Sequence, residues 1–202
     1  MNHWDEKFDS KDYIYGEEAN EFVQDIFQNK TTNNEKIVLF AEGEGRNAIY
    51  LAQLGYEVTT YDMSRIGINK QHRLAKTVGV DIKANYGDIT QHNLTPQSTF
   101  DYSMNIFGHV PKEGKQAMFN NLIQSLVKHG HSYFELYSTA QIEYGTGGPK
   151  DKSMLYEVDE IKRYLSQHAV KIHMLAQHEA YRYEGIKHTG RASIIQGHIE
   201  KL

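Results

Sequence analysis

The sequence predicts an α/β fold: a three-layer sandwich around a seven-stranded, mostly parallel sheet that closes with an antiparallel C-terminal hairpin. Three observations predict it. Strand-like apolar stretches alternate with helical patterns from residue 36 to residue 137, the rhythm of crossover units in a parallel sheet. The run Ile37-Val38-Leu39-Phe40 reads as a buried strand and stops at the glycine-punctuated turn Gly43-Glu44-Gly45. Two strand-like stretches at the end, 169–178 and 191–200, have no helix between them and must form a hairpin.

The elements follow in order. Residues 1–16 are aromatic, charged and non-periodic, and a helix is patterned through Ala19, Phe22, Val23, Ile26 and Phe27. Residues 29–34 are a polar loop, followed by a strand at 36–41 and a helix at 46–54 stopped by Gly55. A second strand at 57–61 ends at Asp62, and a helix over 65–78 stops at Gly79. A third strand at 81–85 leads to Gly87-Asp88, and a fourth covers 100–107. Pro111 delays the next helix to about Glu113, and its pattern runs to about Lys128. His131 to Tyr137 is the fifth strand; a helix near 157–167 and the hairpin complete the chain, with a loop around Glu184-Gly185. No repeat or linker interrupts residues 1–202, so one domain is expected, with 1–30 as an N-terminal cap and first helix.

Composition narrows the function. The formal net charge is -4 and the basic residues are dispersed, which gives no reason to expect nucleic acid or an anionic membrane as partner. Zero cysteines exclude disulfides, thiol nucleophiles and thiolate metal sites. The N-terminus lacks an apolar signal core, and no run approaches the ~20 residues of a bilayer span. A cytoplasmic protein, monomer or homodimer, is the expectation. Eleven histidines raise the question of a metal, yet no third ligand sits at a closing distance in sequence from the pairs His129/His131 and His168/His173. No metal is expected.

The turn after the first strand carries the chemistry. A strand that turns over Gly-x-Gly into a helix aims backbone N–H groups and a positive helix end at a ligand. Gly43, Gly45 and Ala48 fit a dinucleotide turn, and Asp62 stands 19 positions beyond Gly43, where an acidic residue accepts ribose hydroxyls. NAD and S-adenosylmethionine share that ribose. Glu42 and Glu44 would repel a pyrophosphate but suit a cationic, sulfonium-bearing amino acid. Asp88, with Ile89, follows the third strand where a carboxylate takes the exocyclic adenine N–H, and the reversed terminal strand also favours S-adenosylmethionine.

On these motifs the chain resembles class I S-adenosylmethionine-dependent methyltransferases, whose Rossmann-like sheet carries the same terminal hairpin. Within them it is similar to small bacterial tellurite-resistance-like and thiopurine-methyltransferase-like enzymes. The similarity rests on Glu42-Gly43-Glu44-Gly45-Arg46-Asn47-Ala48, on Gly145-Thr146-Gly147-Gly148-Pro149 with Leu155-Tyr156, and on Glu184-Gly185 with His188 and Gly190. It runs over essentially the whole chain. One departure is Ala41, where the superfamily often has an Asp; the methionine part is then left to Glu42 or a backbone carbonyl.

The resemblance implies methyl transfer to a small-molecule nucleophile such as a thiol or a chalcogen oxyanion, with S-adenosylmethionine as cofactor. A non-catalytic S-adenosylmethionine binder and an NAD(P)-linked oxidoreductase are the rival readings. Expected cofactor contacts are Glu42, Gly43, Gly45, Arg46, Asn47, Asp62, Met63, Asp88, Ile89, Ile106 and Phe107. His109 ends the fourth strand and has the pKa range of a general base; a structural histidine is the competing reading. Glu184 and His188 form a second candidate acid–base pair. Tyr15, Glu135, Tyr137 and Tyr156 are expected on the acceptor side, with the glycine-rich loop 144–149 as a lid. Trp4, Tyr13 and Tyr15 either fold over the cofactor or pack the first helix onto the sheet.

Overall fold

The computed structural model describes residues 2–185 and 188–202, with the backbone alone at residue 188. Its elements in chain order are α1 (His3–Phe8), α2 (Glu21–Phe27), β1 (Lys36–Phe40), α3 (Arg46–Gln53), β2 (Glu57–Asp62), α4 (Arg65–Val78), β3 (Lys83–Tyr86) and β4 (Phe100–Ile106). They continue with α5 (Lys115–Gln124), β5 (Leu126–Tyr137), α6 (Val158–Leu165), β6 (Val170–Glu184) and β7 (His188–Lys201). The seven strands form one sheet in the order β3-β2-β1-β4-β5-β7-β6. The first five run parallel, and β7 lies antiparallel between β5 and β6.

Why β1 is so apolar is now plain. Ile37 and Leu39 face α2 and α3, whereas Val38 and Phe40 face the layer of α5 and α6. A strand covered on both faces loses the apolar–polar alternation of a half-exposed one. The helices have the ends their sequences specify: the Ser64 hydroxyl accepts the Gly67 N–H at 3.0 Å to start α4, and Gly79 ends it with a left-handed φ of 76°. Connections on either side of β1 leave in opposite directions across the sheet, so a crevice opens at the carboxyl ends of β1 and β4.

Two expectations about the elements change. Helix α5 ends at Gln124, and β5 begins at Leu126, not at His131. The last carbonyls of α5 are taken by the approach to β4: Ser98 N–H bonds to Gln124 O, and the Thr99 and Phe100 N–H groups bond to Ser125 O. Those bonds end the helix where apolar patterning alone carries it on through Leu126. The hairpin strands are also longer than their apolar stretches, and pair from Val170↔Lys201 to Glu184↔His188. The turn falls at Glu184-Gly185 as expected, but residues 179–184 and 188–190 on either side of it are strand, because an edge hairpin needs no apolar outer face. Among the described residues, no helix is long and apolar enough to cross a membrane.

Candidate cofactor and acceptor site

A cavity of about 610 Å³ fills the crevice. Its floor is the turn after β1, its sides are the tips of β2 and β4 and the loop after β3, and α1 covers it with His3, Trp4 and Phe8. All eleven residues expected to contact a cofactor line it.

The turn is built by its neighbours. Gly43 and Gly45 take left-handed φ values of 62° and 100°. A Cβ on Gly45 would stand 2.8 Å from Gln71 Cγ, and one on Gly43 would stand 3.1 Å from Phe8 Cζ. These glycines are therefore required by the backbone and by the pressure of α4 and α1, as well as by any ligand. Gln71 completes the clamp: its Nε2 donates to Gly43 O at 2.8 Å, and its Oε1 accepts the Thr60 hydroxyl at 2.6 Å.

Three of the carboxylates lining the cavity sit at the turn after β1, the tip of β2 and the loop after β3. Glu42 Oε1 accepts the Ala48 N–H at 2.8 Å, and its Oε2 takes Asn47 Nδ2 at 3.4 Å, so it sits on the positive end of α3. Burial nevertheless pushes its carboxyl up to about 7, against those hydrogen bonds and the Arg46 charge. Asp62 accepts the Gly43 N–H at 2.7 Å through Oδ2 and the Ser64 N–H at 2.7 Å through Oδ1. Burial raises Asp62 to about 6, the two N–H bonds opposing the rise. Asp88 Oδ1 accepts both the N–H and the hydroxyl of Thr90 at 2.8 Å, beside the buried Ile89.

Glu44 does something else. Its Oε1 pairs with Lys70 at 2.7 Å, and its Oε2 takes the Ile14 N–H at 2.9 Å and the Tyr15 N–H at 3.4 Å. Its charge is spent on Lys70 and on tethering the N-terminal segment, so the electrostatic case against a pyrophosphate falls to Glu42. Arg46 is engaged too: Nη2 lies 2.7 Å from Glu184 Oε2.

The wall contributed by β4 is strained. Ala41 and Phe107, at the tips of adjacent strands, hold φ values of 53° and 57° without being glycine, a conformation that costs free energy and collects at functional sites. A Cβ on Gly108 would meet Ala41 Cβ at 2.5 Å, so the two tips are locked together. His109 lines the cavity but its ring is held on both sides: Nδ1–H donates to Phe107 O at 2.9 Å, and Nε2 accepts the Tyr137 N–H at 2.9 Å. As placed it is a neutral brace, with no nitrogen left to take a proton from an acceptor.

Other expected positions lie elsewhere. Of the four residues assigned to the acceptor side, Tyr15 alone lines the cavity. Glu135 is fully buried, forms an ion pair with Arg182 Nη2 at 2.5 Å and accepts a hydrogen bond from Asn20 Nδ2 at 2.9 Å. Tyr137 backs the wall, with its ring 4.4 Å from that of Phe107. Tyr156 is buried in the α5–α6 layer, under Lys115 Nζ at 4.3 Å. The end of β5 brings Glu135 and Tyr137 near the site, and an isolated bridge to Ser138 brings Tyr156, but all three side chains are buried in the core.

Glu184 belongs to the same buried network as Glu135, accepting from Asn20 Nδ2 at 2.9 Å as well as pairing with Arg46. The side chain of His188 lies outside the described residues, so the Glu184–His188 pair has no geometry here. Loop 144–149 packs on the hairpin, where Tyr144 bonds Glu179 and Thr146 bonds the Arg191 carbonyl; it does not line the cavity. Tyr13 also points away, donating to Lys70 O at 3.1 Å on α4. The covering element is α1, which Asp5 pins by accepting the Ser64 hydroxyl at 2.7 Å. Phe8, Thr90, Pro111 and Met154 line the cavity without having been anticipated. A six-residue helix has too little periodicity to announce its buried face.

The family model described as Tellurite resistance protein TehB matches residues 2–174. No curated protein sequence matches. Among solved structures, TehB from Haemophilus influenzae superposes with a TM-score of 0.73 at 17% identity, over 91% of this chain and 63% of that one. A chain from work on conversion of a disulfide bond into a thioacetal group in echinomycin biosynthesis gives 0.78 at 13% identity, over 98% of this chain and 92% of that one. An S-adenosylmethionine-dependent methyltransferase from Methanosarcina mazei gives 0.71 at 14% identity, over 88% and 97%.

Proposed function

The chain belongs to the TehB tellurite resistance protein family, and from that premise we propose that it is an S-adenosylmethionine-dependent methyltransferase acting on a small-molecule nucleophile. The observation that carries the reading is the row of Glu42, Asp62 and Asp88 along one cavity. A nucleoside joined to a cationic amino acid presents an ammonium and sulfonium, two ribose hydroxyls and an exocyclic amine in that order. Each is a positive charge or hydrogen-bond donor, and each carboxylate is an acceptor. A pyrophosphate would instead need cations or free donors at the turn, where Arg46 and Lys70 are already paired with Glu184 and Glu44.

S-adenosylmethionine supplies an activated methyl group on a positively charged sulfur. What the chain adds is placement. Glu42 meets the amino-acid end, Asp62 the ribose, and Asp88 with Ile89 the adenine; Trp4 and Phe8 exclude water from above. Ile106 and Phe107 form the wall at the tip of β4, towards which the acceptor approaches.

The bonding of His109 supports an acceptor that needs no general base. Both ring nitrogens of this histidine at the tip of β4 are bonded to backbone, so it is occupied as a brace. The preferred acceptor therefore arrives ionised or carries a lone pair at neutral pH: a thiolate, or a reduced selenium or tellurium species. Calorimetric titration with S-adenosylmethionine, S-adenosylhomocysteine, NAD and NADP tests the reading. Micromolar binding of the first two alone supports it, and binding of NAD or NADP overturns it.

A further inference from the structure

At the far end of the sheet, three histidines meet that lie far apart in sequence. His131 on β5 and His198 on β7 are joined by a hydrogen bond of 3.0 Å between Nδ1 and Nε2. His173 on β6 stacks on His198, with ring centroids 4.6 Å apart. One nitrogen from each of the three falls within 4.8 Å of the others. His131 lies six residues before Tyr137 on β5, roughly 20 Å from the cavity at 3.3 Å per residue.

The backbone is shaped for this meeting. Register slips between Ile172 and Met174, so His173 is the extra residue of a β-bulge opposite Ile199 and His198. A bulge re-aims one side chain without moving its neighbours, and here it turns His173 onto the ring of His198. Glu200, two residues beyond His198 and on the same face, accepts from His173 Nε2 at 2.9 Å and from His129 Nδ1 at 2.9 Å. That bond keeps the His173 proton on Nε2 and leaves Nδ1 as the lone-pair donor, the arrangement in which a carboxylate orients a metal-binding imidazole. Lys30 donates to Tyr133 Oη at 3.3 Å, and the Tyr133 ring stacks on His198 with centroids 4.4 Å apart.

We propose that His131, His173 and His198 form a site for a divalent transition-metal ion of the zinc class, with Glu200 orienting His173 from behind. Three imidazole nitrogens suit Zn²⁺, Co²⁺ and Ni²⁺ and suit Mg²⁺ or Ca²⁺ poorly. Ligand nitrogens at ~2.0–2.1 Å from a tetrahedral ion stand ~3.3 Å apart, so the His131–His198 pair is already near that spacing and His173 closes by a small rotation. Since His173 is partly exposed, the fourth position opens to solvent. The ion ties β5, β7 and β6 together across the antiparallel edge. The spacing of histidines along the chain gave no sign of this, because each ligand comes from a different strand.

The test is titration of the purified, chelator-treated full chain with Zn²⁺, repeated with Co²⁺ to read its visible absorption. One equivalent should bind and raise the Tm. His173→Asn and His198→Asn should each abolish saturable binding and the Co²⁺ spectrum, and Glu200→Gln should weaken binding by about 10–100-fold. S-adenosylmethionine affinity, measured on the same variants, should stay unchanged and so certifies that they fold. Absence of stoichiometric binding to the wild-type chain, or binding that survives both histidine substitutions, would overturn the proposal.

Discussion

Asp62 Oδ2 accepts the backbone N–H of Gly43 at 2.7 Å, so the tip of β2 holds the shape of the turn that follows β1. The residue proposed to bind the ribose is also part of the frame that presents the rest of the cofactor. Asp62→Ala should weaken S-adenosylmethionine binding by more than about tenfold, because a hydrogen bond to a charged group contributes roughly 1.5–3 kcal/mol. It should also lower the Tm, since the Gly43 and Ser64 N–H groups lose a buried acceptor. A calorimetric dissociation constant equal to that of the wild type would remove Asp62 from the site.

Glu42 sets a pH dependence whose sign can be worked out. Its folded-state carboxyl titrates at about 7, above the ordinary 4.5, because burial disfavours the charged form. Stability from this group is fully present below the unfolded value and is lost as pH rises from about 4.5 through about 7. Glu42→Gln does not titrate, so in the absence of cofactor its Tm relative to wild type should climb between pH 5 and pH 8. A cationic amino-acid end beside Glu42 favours the carboxylate. Binding to the wild type near pH 6 should therefore release protons, detectable in buffers of different ionisation enthalpy, and the release should shrink in Glu42→Gln. A pH-independent Tm difference would show that Glu42 is ionised throughout.

The cavity floor was legible in the sequence because it is local. Strand, Gly43, Gly45 and helix follow within a dozen residues, and Asp62 ends the next strand, so spacing alone brings them together. The acceptor side was not. Whether Glu135, Tyr137 or Tyr156 points into a crevice depends on strand phase and on what packs behind, and each turned out to serve the core. The cover stayed open between two readings, a fold over the cofactor and packing on the sheet, for a related reason. What holds α1 in place is Asp5 on Ser64 and Asn2 Nδ2 on Met63 O, contacts spanning 59 and 61 residues that leave no periodic trace.

Glu135 tests that reassignment. It is fully buried against Arg182, which is itself 4% exposed in its side chain. Removing one partner of such a pair strands the other charge, at a cost of about 3–5 kcal/mol. Glu135→Ala should show that loss in urea unfolding. A substrate-contacting carboxylate would instead give near-normal stability with an altered KM. Loss of less than about 1 kcal/mol would contradict the buried pairing.

His109 separates a brace from a base. If the acceptor ionises by itself, turnover on a thiol rises with pH along the thiol's own titration. His109→Gln should lower kcat by loosening the Phe107 wall, while leaving the midpoint of the pH–rate profile in place. A shift of that midpoint, or loss of one limb of the profile, would make His109 the proton acceptor after all.

Trp4 decides whether α1 is a working part of the site. Its ring lines the cavity, stacks on Phe8 at 5.7 Å, and carries Lys7 Nζ at 4.5 Å on its ring. It is not in the main core, and α1 is anchored independently by Asn2 and Asp5. Trp4→Ala should therefore change the Tm little but weaken S-adenosylmethionine binding, as the cavity roof opens to water. Bound S-adenosylmethionine should in turn slow proteolysis near residues 3–10, because ligand that contacts α1 suppresses its local opening. Equal cleavage with and without cofactor, together with an unchanged dissociation constant, would mean that α1 merely packs beside the site.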